Sequence, residues 1–457
     1  MNAKSAEGVW CCRRIGPYVP DFSLDNRVDN IMDNLKGCYD SAVTERSYLK
    51  SHPWLTFQYD SRNLGPLTWA HLGESFSKCQ HLIGTPLQPG VALHMSELFL
   101  RRGALASAAI EGNTLNEDQA EDILVRNQKL PESQQYLEQE LRNVVQAMTD
   151  VRSEVISDDE FKITPEWIRQ KHLTLMRELE LEEHVIGGEF RTVSVGVGSY
   201  RGAPAEDIEL LVEHLCVWLN EMLASARTCE STDERFFRSF FAATLAHLYI
   251  AWIHPFGDGN GRTARIVECA ILAHSQTVPW VSTGILSNYY NKTKTRYYLR
   301  LDAASRDMDI DGFIAYCAIG FRDELRAQIS EVQEQQRRVA WINYVHERFK
   351  DEPSNDIARR RRELVLAMPA RQQFTRKDLR VLTTNLARLY ATTSDRLFSR
   401  DLTKLKELGL IRETRRGNYV SSISKMDAFV PRPEFGVRLP VVIDEDSMPL
   451  DLAEDSE

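Results

Sequence analysis

Two apolar helical stretches flank one glycine-rich break, and no other feature restricts the folding of this chain as strongly. Residues 233 to 253 close with FFAATLAHLYIAWI, and residues 263 to 273 carry apolar residues at helical spacing, at Ile266, Ala270 and Leu272. Between them stands HPFGDGNGRTAR, residues 254 to 265. Glycine and asparagine are poor helix formers, so something other than helix stability maintains the interruption. The run from Phe240 to Ile253 is short for a membrane span and contains Thr244 and His247. A buried core helix is therefore expected, with no membrane role.

The break has the composition of a phosphate cradle with a base attached. Gly259, Asn260 and Gly261 sit just before the second helical segment, where backbone N–H groups lack intrahelical partners and the helix dipole favours an anion. Missing Cβ atoms allow close approach, and Gly or Asn accepts positive φ. Arg262 and Arg265, with Thr263 between them, project from the first helical turn and can grip a polyphosphate bidentately. Asp258 is a hard oxygen ligand suited to Mg²⁺ held jointly with substrate phosphates. His254 ends the preceding helix, and as a neutral imidazole it can take a proton from an attacking hydroxyl. A tight turn or a calcium loop is the plainer alternative. The regular ladder of acidic ligands of an EF-hand is absent, and base, acid, amides and two arginines together favour a nucleotide site.

At 457 residues, two or three domains are expected. The eight cysteines (11, 12, 38, 79, 216, 229, 269 and 317) form no CxxC pair, which points to reduced thiols. The start, MNAKSAEGVWCCRRIG, lacks an apolar signal core, and a cytoplasmic location is the expectation. The net charge of −10 hides a split: residues 359 to 420 hold 16 Arg and Lys against 6 Asp and Glu, a net of +10, leaving −20 elsewhere. Such a split marks a domain boundary or a separate partner surface.

Along the chain, helical spacing covers 93–110, and EGNTLNEDQAEDIL then turns and restarts a helix. Met148 to Asp159 is polar and reads as a loop. Ile163 to Leu179 reads as a helix with Thr164 as N-cap before Pro165. In GGEFRTVSVGVGSYRGAP (187–204), Thr192, Val193, Val195 and Val197 favour strand, so a short hairpin is expected. Helices resume over 206–223 and 233–253, and a polar helix over 329–349 reads as a connector.

The 254–265 stretch closely resembles the signature of the Fic family, HxFx(D/E)GNGRxxR, which His254, Phe256, Asp258, Gly259, Asn260, Gly261, Arg262 and Arg265 match at every fixed position. Proteins of that family transfer a nucleotide moiety, most often AMP from ATP, to a hydroxyl of a target protein. Residues 107–113, SAAIEGN, resemble the family's inhibitory pattern (S/T)xxxE(G/N)N, carried by Ser107, Glu111, Gly112 and Asn113. The resemblance implies that Glu111 pairs with Arg265 and obstructs the ATP γ-phosphate. It also implies that 190–198 is the family's flap, with Val195, Gly196, Val197 and Gly198 beside the nucleotide and offering backbone for strand addition. NKTKTRYYLRLDAASRDMD resembles the stretch lining the nucleotide base. Tyr297 is the candidate there, Tyr298 and Leu301 read as packing, and Ser305 departs from the asparagine common in relatives.

The implied fold is mainly α: a Fic-type helical bundle with a hairpin flap, followed by a winged helix-turn-helix. The expected organisation is an N-terminal arm and helical extension at 1–92, a catalytic domain at 93–330, a connector at 331–358, a winged helix at 359–422 and an acidic tail at 423–457. The expected activity is protein adenylylation with ATP and Mg²⁺, restrained by Glu111. The alternatives are removal of AMP by the same site, and a nucleotide-sensing regulator. In the winged helix, the 393–406 helix and Arg415 and Arg416 on the wing would meet DNA, although such folds also dock proteins or dimerise. Gly261 argues against the phosphotransferase branch of the family, which has lysine there. Self-association is a further expectation, since it could control exposure of Glu111.

Overall fold

The computed structural model describes residues 46–157, 161–198, 200–353, 355–414 and 417–426. The arm before residue 46, with Cys11, Cys12 and Cys38, lies outside them, as do Arg415, Arg416 and the tail from residue 427. The chain divides into two compact units, 1–332 and 333–457.

The first unit is built around the helices Thr232–Ile253 and Asn260–His274, which pack on each other. From Phe240 onward Thr232–Ile253 is apolar on almost every side, and a helix segment of that kind needs burial all round. It is long and apolar enough for a membrane span, yet 83% of its apolar window is buried inside the protein. The helix Ile208–Arg227 covers one flank. Gln135–Ser157 and Pro165–Met176 pack on Asn260–His274. Residues Tyr48, Leu55, Phe57, Leu64 and Leu72 belong to the same core.

Local chemistry explains most boundaries. Pro89–Ile110 starts on a proline in its first turn and ends where Gly112 takes φ +110°. Glu117–Leu124 begins with a capping box, Asn116 with Gln119. Thr164 caps Pro165–Met176 by accepting from the Trp167 amide. The loop expected at Met148–Asp159 is instead helix through Ser157. Met148, Val151 and Val155 recur three and four apart and are buried, while the polar residues between them face outward.

The hairpin is shorter than its β-formers suggest. β1, Gly196–Val197, pairs antiparallel with β2, Tyr200–Arg201, in the register Gly196↔Arg201 and Val197↔Tyr200. Thr192 and Val193 stay outside the ladder because the neighbouring Arg191 is tied elsewhere: its amide donates to the Pro255 carbonyl and its guanidinium to the Val193 carbonyl.

The helical segment expected over 329–349 is the second half of one helix, Ile310–Arg348. The second unit has its own core of Leu364, Val365, Phe374, Leu379, Leu386, Phe398, Leu402, Leu405, Ile411 and Tyr419. Its helices are Asp356–Ala367, Arg376–Arg380, Thr384–Ala391 and Asp395–Glu407. Arg376–Arg380 ends after five residues, and a new helix starts where the Thr383 hydroxyl accepts from the Leu386 amide. β3, Gln373–Phe374, β4, Ile411–Glu413, and β5, Tyr419–Ser421, form an antiparallel sheet in the order β3-β5-β4.

Candidate active site

The break between the two central helices is a closed loop held from inside. Asn260 Nδ2 donates to the Phe256 carbonyl at 2.8 Å, and its Oδ1 accepts from the Phe256 amide at 2.9 Å. Gly259 caps the motif helix at φ +73°, where a Cβ would also strike Met176. His172 braces the outer side: the Gly188 amide donates to Nδ1 at 2.9 Å, so Nε2 carries the proton and donates to the Asp258 carbonyl at 2.9 Å. Its ring stacks on Phe256 with centroids 3.7 Å apart. Burial drives its pKa down to about 4, which keeps this brace neutral.

His254 sits at the C-cap of the preceding helix with φ 52°, a left-handed conformation that histidine tolerates better than most residues. Arg191 fastens this turn. Its guanidinium donates to the carbonyls of His254 (2.7 Å), Val193 (2.7 Å), Ala203 (2.5 Å) and Ile253 (3.3 Å). Burial lowers its pKa to about 10, leaving it charged. The imidazole Nδ1 of His254 faces the Ala251 carbonyl at 3.3 Å, which assigns the proton to Nδ1 and leaves the Nε2 lone pair free. Burial pushes its pKa down to about 4, with Arg191 adding to the shift. The ring is therefore a neutral base at ordinary pH.

Both motif arginines are held by carboxylates. Arg265 is almost fully buried and donates from Nη2 to Glu111 Oε1 at 2.7 Å, from Nη2 to the Ser107 carbonyl at 3.0 Å, and from Nε to Ser107 Oγ at 2.8 Å. Burial opposes its charge, but Glu111 and Tyr297 together outweigh burial and the pKa is raised. Among the described residues its Nη1 makes no hydrogen bond, with Tyr297 as its polar neighbour. Gly261 borders this nitrogen, and a Cβ there would run into both Glu111 and Arg265. A buried guanidinium N–H without an acceptor, beside a glycine cradle, fits an anionic group. Arg262 Nη1 donates to Glu140 Oε1 at 2.7 Å and Nη2 to Asp258 Oδ2 at 3.1 Å. The Asp258 side chain is 60% exposed, so one carboxylate is within reach of a metal that also binds phosphates. Among the described residues no group of three or more metal-ligating side chains gathers.

A cleft of about 630 Å³ runs past Glu111, Gly198, His254, Gly261, Tyr297 and Tyr298. Tyr297 forms its deep wall: it is 2% exposed, and its hydroxyl is 2.8 Å from His247 Nε2. Tyr298, expected as packing, is 40% exposed and lines the cleft, so it offers the accessible aromatic face. Gly198 of the flap lines this cleft, and the Val195 carbonyl is engaged by the Gly202 amide. Asn260 and Thr263 also support the loop from within. Their side chains bond to the loop's own backbone, the Thr263 hydroxyl to the Gly259 carbonyl at 2.9 Å, and both are buried. Asn113 donates to the Leu137 carbonyl and to Glu140 Oε2. Sequence reasoning missed Glu140, Arg191, His172 and His247. Arg191 adjoins the hairpin glycines, a weak cue; the other three carry none in a single sequence.

Residues 162–272 match the sequence model of the Fic/DOC family. Among curated proteins, the chain is 27% identical over 212 residues to a protein adenylyltransferase Fic of Aedes aegypti, covering 46% of this chain and 38% of that protein. It is also 27% identical over 212 residues to protein adenylyltransferase fic-1 of Caenorhabditis elegans, with the same coverage. A Fic of Drosophila erecta is 28% identical over 240 residues, 50% of this chain and 43% of that protein. The matches thus span less than half the length of these relatives. Among solved structures, a Fic family protein from Desulfovibrio desulfuricans G20 aligns with 80% of this chain and 98% of its own, at 21% identity and a TM-score of 0.49.

Proposed function

We propose that this chain, which carries a Fic/DOC-family domain over residues 162–272, is a protein adenylyltransferase. The observation that carries the reading is a neutral His254 whose Nε2 lone pair is free in the same cleft as Gly261 and Glu111. ATP would place its phosphates against the first turn of Asn260–His274 and the two arginines. Asp258 would hold Mg²⁺, which neutralises phosphate charge when bound. His254 Nε2 takes the proton from a Ser, Thr or Tyr hydroxyl of the target. That oxygen bonds to the α-phosphorus as the bond to the bridging oxygen breaks, and pyrophosphate leaves with the electron pair. Backbone amides in the first turn of Asn260–His274 would stabilise the developing charge, the kind of contribution that usually dominates such reactions.

Glu111 restrains the reaction in this reading, because its carboxylate occupies the guanidinium that a γ-phosphate needs and repels that phosphate. The test is transfer of label from α-³²P-ATP with Mg²⁺. Glu111→Gly should label itself or lysate proteins strongly, and Glu111→Gly/His254→Ala should not. Labelling that survives the loss of His254 would overturn the role given to it.

The second unit supports a second reading, a winged helix that binds DNA. Asp395–Glu407 buries Phe398, Leu402 and Leu405 and leaves Arg396 and Arg400, four apart, exposed on the other side. Lys377 and Arg388 are exposed on the preceding helices. This pattern suits a helix laid in the major groove with flanking phosphate contacts.

A further inference from the structure

Glu140 touches both halves of the proposed nucleotide site with one carboxylate. Its Oε1 accepts from Arg262 Nη1 at 2.7 Å, and its Oε2 accepts from Asn113 Nδ2 at 2.9 Å. The Arg262 and Glu140 side chains are 6% and 13% exposed, so the pair is shielded from water. Asn113 is two residues after Glu111, in a turn with four amides engaged. Those of Glu111 and Asn113 donate to the Ala108 carbonyl, that of Gly112 to the Ala109 carbonyl, and that of Leu115 to Asn113 Oδ1. The segment bearing Glu111 is therefore bonded to the motif helix twice: at Arg265 through Glu111 itself, and at Arg262 through Glu140 and Asn113.

We propose that Glu140 is a positioning residue with two effects: it sets Arg262 for the phosphates, and it fastens the Glu111 segment in its blocking position. The inference rests on the adenylyltransferase reading of the site. A carboxylate bonded on both oxygens fixes its two partners relative to each other, and charge-assisted bonds in a shielded place are the strong ones. Movement of the 111–113 turn then pulls on Arg262, and displacement of Arg262 by phosphate loosens the turn. The two arms separate by substitution. Asn113→Ala removes the link to the blocking turn and leaves Glu140 on Arg262. Glu140→Gln weakens both, since a neutral amide cannot replace the charge facing Arg262.

The experiment uses the full chain and two readouts. Amide hydrogen exchange over residues 108–116, without nucleotide, should quicken at least tenfold in both Asn113→Ala and Glu140→Gln, while exchange in Thr232–Ile253 stays as in the parent. Unchanged exchange over 108–116 would overturn the latch whatever the chemistry of the site. Labelling from α-³²P-ATP should rise several-fold over the parent in both variants. In the Glu111→Gly background neither substitution should raise labelling further. There Glu140→Gln should raise the KM for ATP about tenfold with kcat within about twofold, as expected for one lost charge-assisted contact. Asn113→Ala should leave that KM unmoved. A purely structural Glu140 would shift kcat and KM together or neither, and would overturn the positioning role. Faster exchange with no labelling in any form would keep the latch and overturn the adenylyltransferase reading instead.

Discussion

At the scale of single residues, the site is set by two side chains whose partners are fixed, His254 and Glu111. His254 is neutral because burial penalises its cation, so its pKa is about 4 against the usual 6.5. Its acid limb in kcat/KM should therefore lie near pH 4, and the rate through this group should stay level between pH 5 and 8. Labelling rates of Glu111→Gly across that range check this, and a limb centred near 6.5 would contradict it. The stability sign follows: the unfolded chain takes up the proton first, so this imidazole costs stability progressively as pH falls from about 6.5 towards 4. Glu111 presents the opposite case. Removing it leaves Arg265 buried without its counter-charge, which costs about 1–3 kcal/mol after allowance for the 30% exposure of the Glu111 side chain. Glu111→Gly should accordingly melt several degrees below the parent, and Mg–ATP should recover part of the loss. A melt unchanged by the substitution would mean that water satisfies Arg265. The Glu111–Arg265 pair was legible in the sequence through its motif. The Glu140–Arg262 pair was not, since only the fold brings a helix residue 122 positions away to that guanidinium.

At the scale of elements, the long helices were legible and the short pieces were not. Thr232–Ile253 and Asn260–His274 announce themselves by apolar spacing around a glycine break, and Thr164 by its capping chemistry before a proline. The end of Gln135–Ser157 reads as a loop in the sequence because its polar outer face hides Met148, Val151 and Val155, whose spacing alone marks the buried side. The hairpin was overdrawn for the converse reason. β-propensity at Thr192 and Val193 carries no information about Arg191, whose bonds to the 253–255 turn override it. That dependence is testable. Arg191→Met would strip the carbonyls of His254, Val193 and Ala203 of their buried donor, at a cost of about 3 kcal/mol. Chemical denaturation should show that loss, and in the Glu111→Gly background kcat should fall more than tenfold with little change in KM for ATP. A normal kcat would show that the His254 turn holds its left-handed geometry without Arg191.

At the scale of the whole molecule, the charge split recorded in the sequence has a structural counterpart in unit 2, and its distribution matters more than its sum. Several basic residues there are internal fittings: Arg360 and Arg361 both bind the buried Asp401, Lys406 pairs with Glu413, and Arg380 pairs with Asp395. Arg396 and Arg400 are exposed and share the outer face of Asp395–Glu407. A nucleic-acid partner would release counterions from its phosphates at those positions, so affinity must fall with salt, by a slope of about 0.9 for each contact. Anisotropy titrations of the full chain on duplex DNA over a range of salt concentrations give that slope directly. Arg396→Ala/Arg400→Ala should weaken binding and reduce the slope by up to about 2, while adenylylation by the Glu111→Gly form stays as it was. His254→Ala should leave DNA binding intact. Binding that is weak at low salt, or indifferent to the two arginines, would count against the DNA reading and favour a protein partner for this face, because exposed arginines on one side of a helix also complement an acidic protein surface.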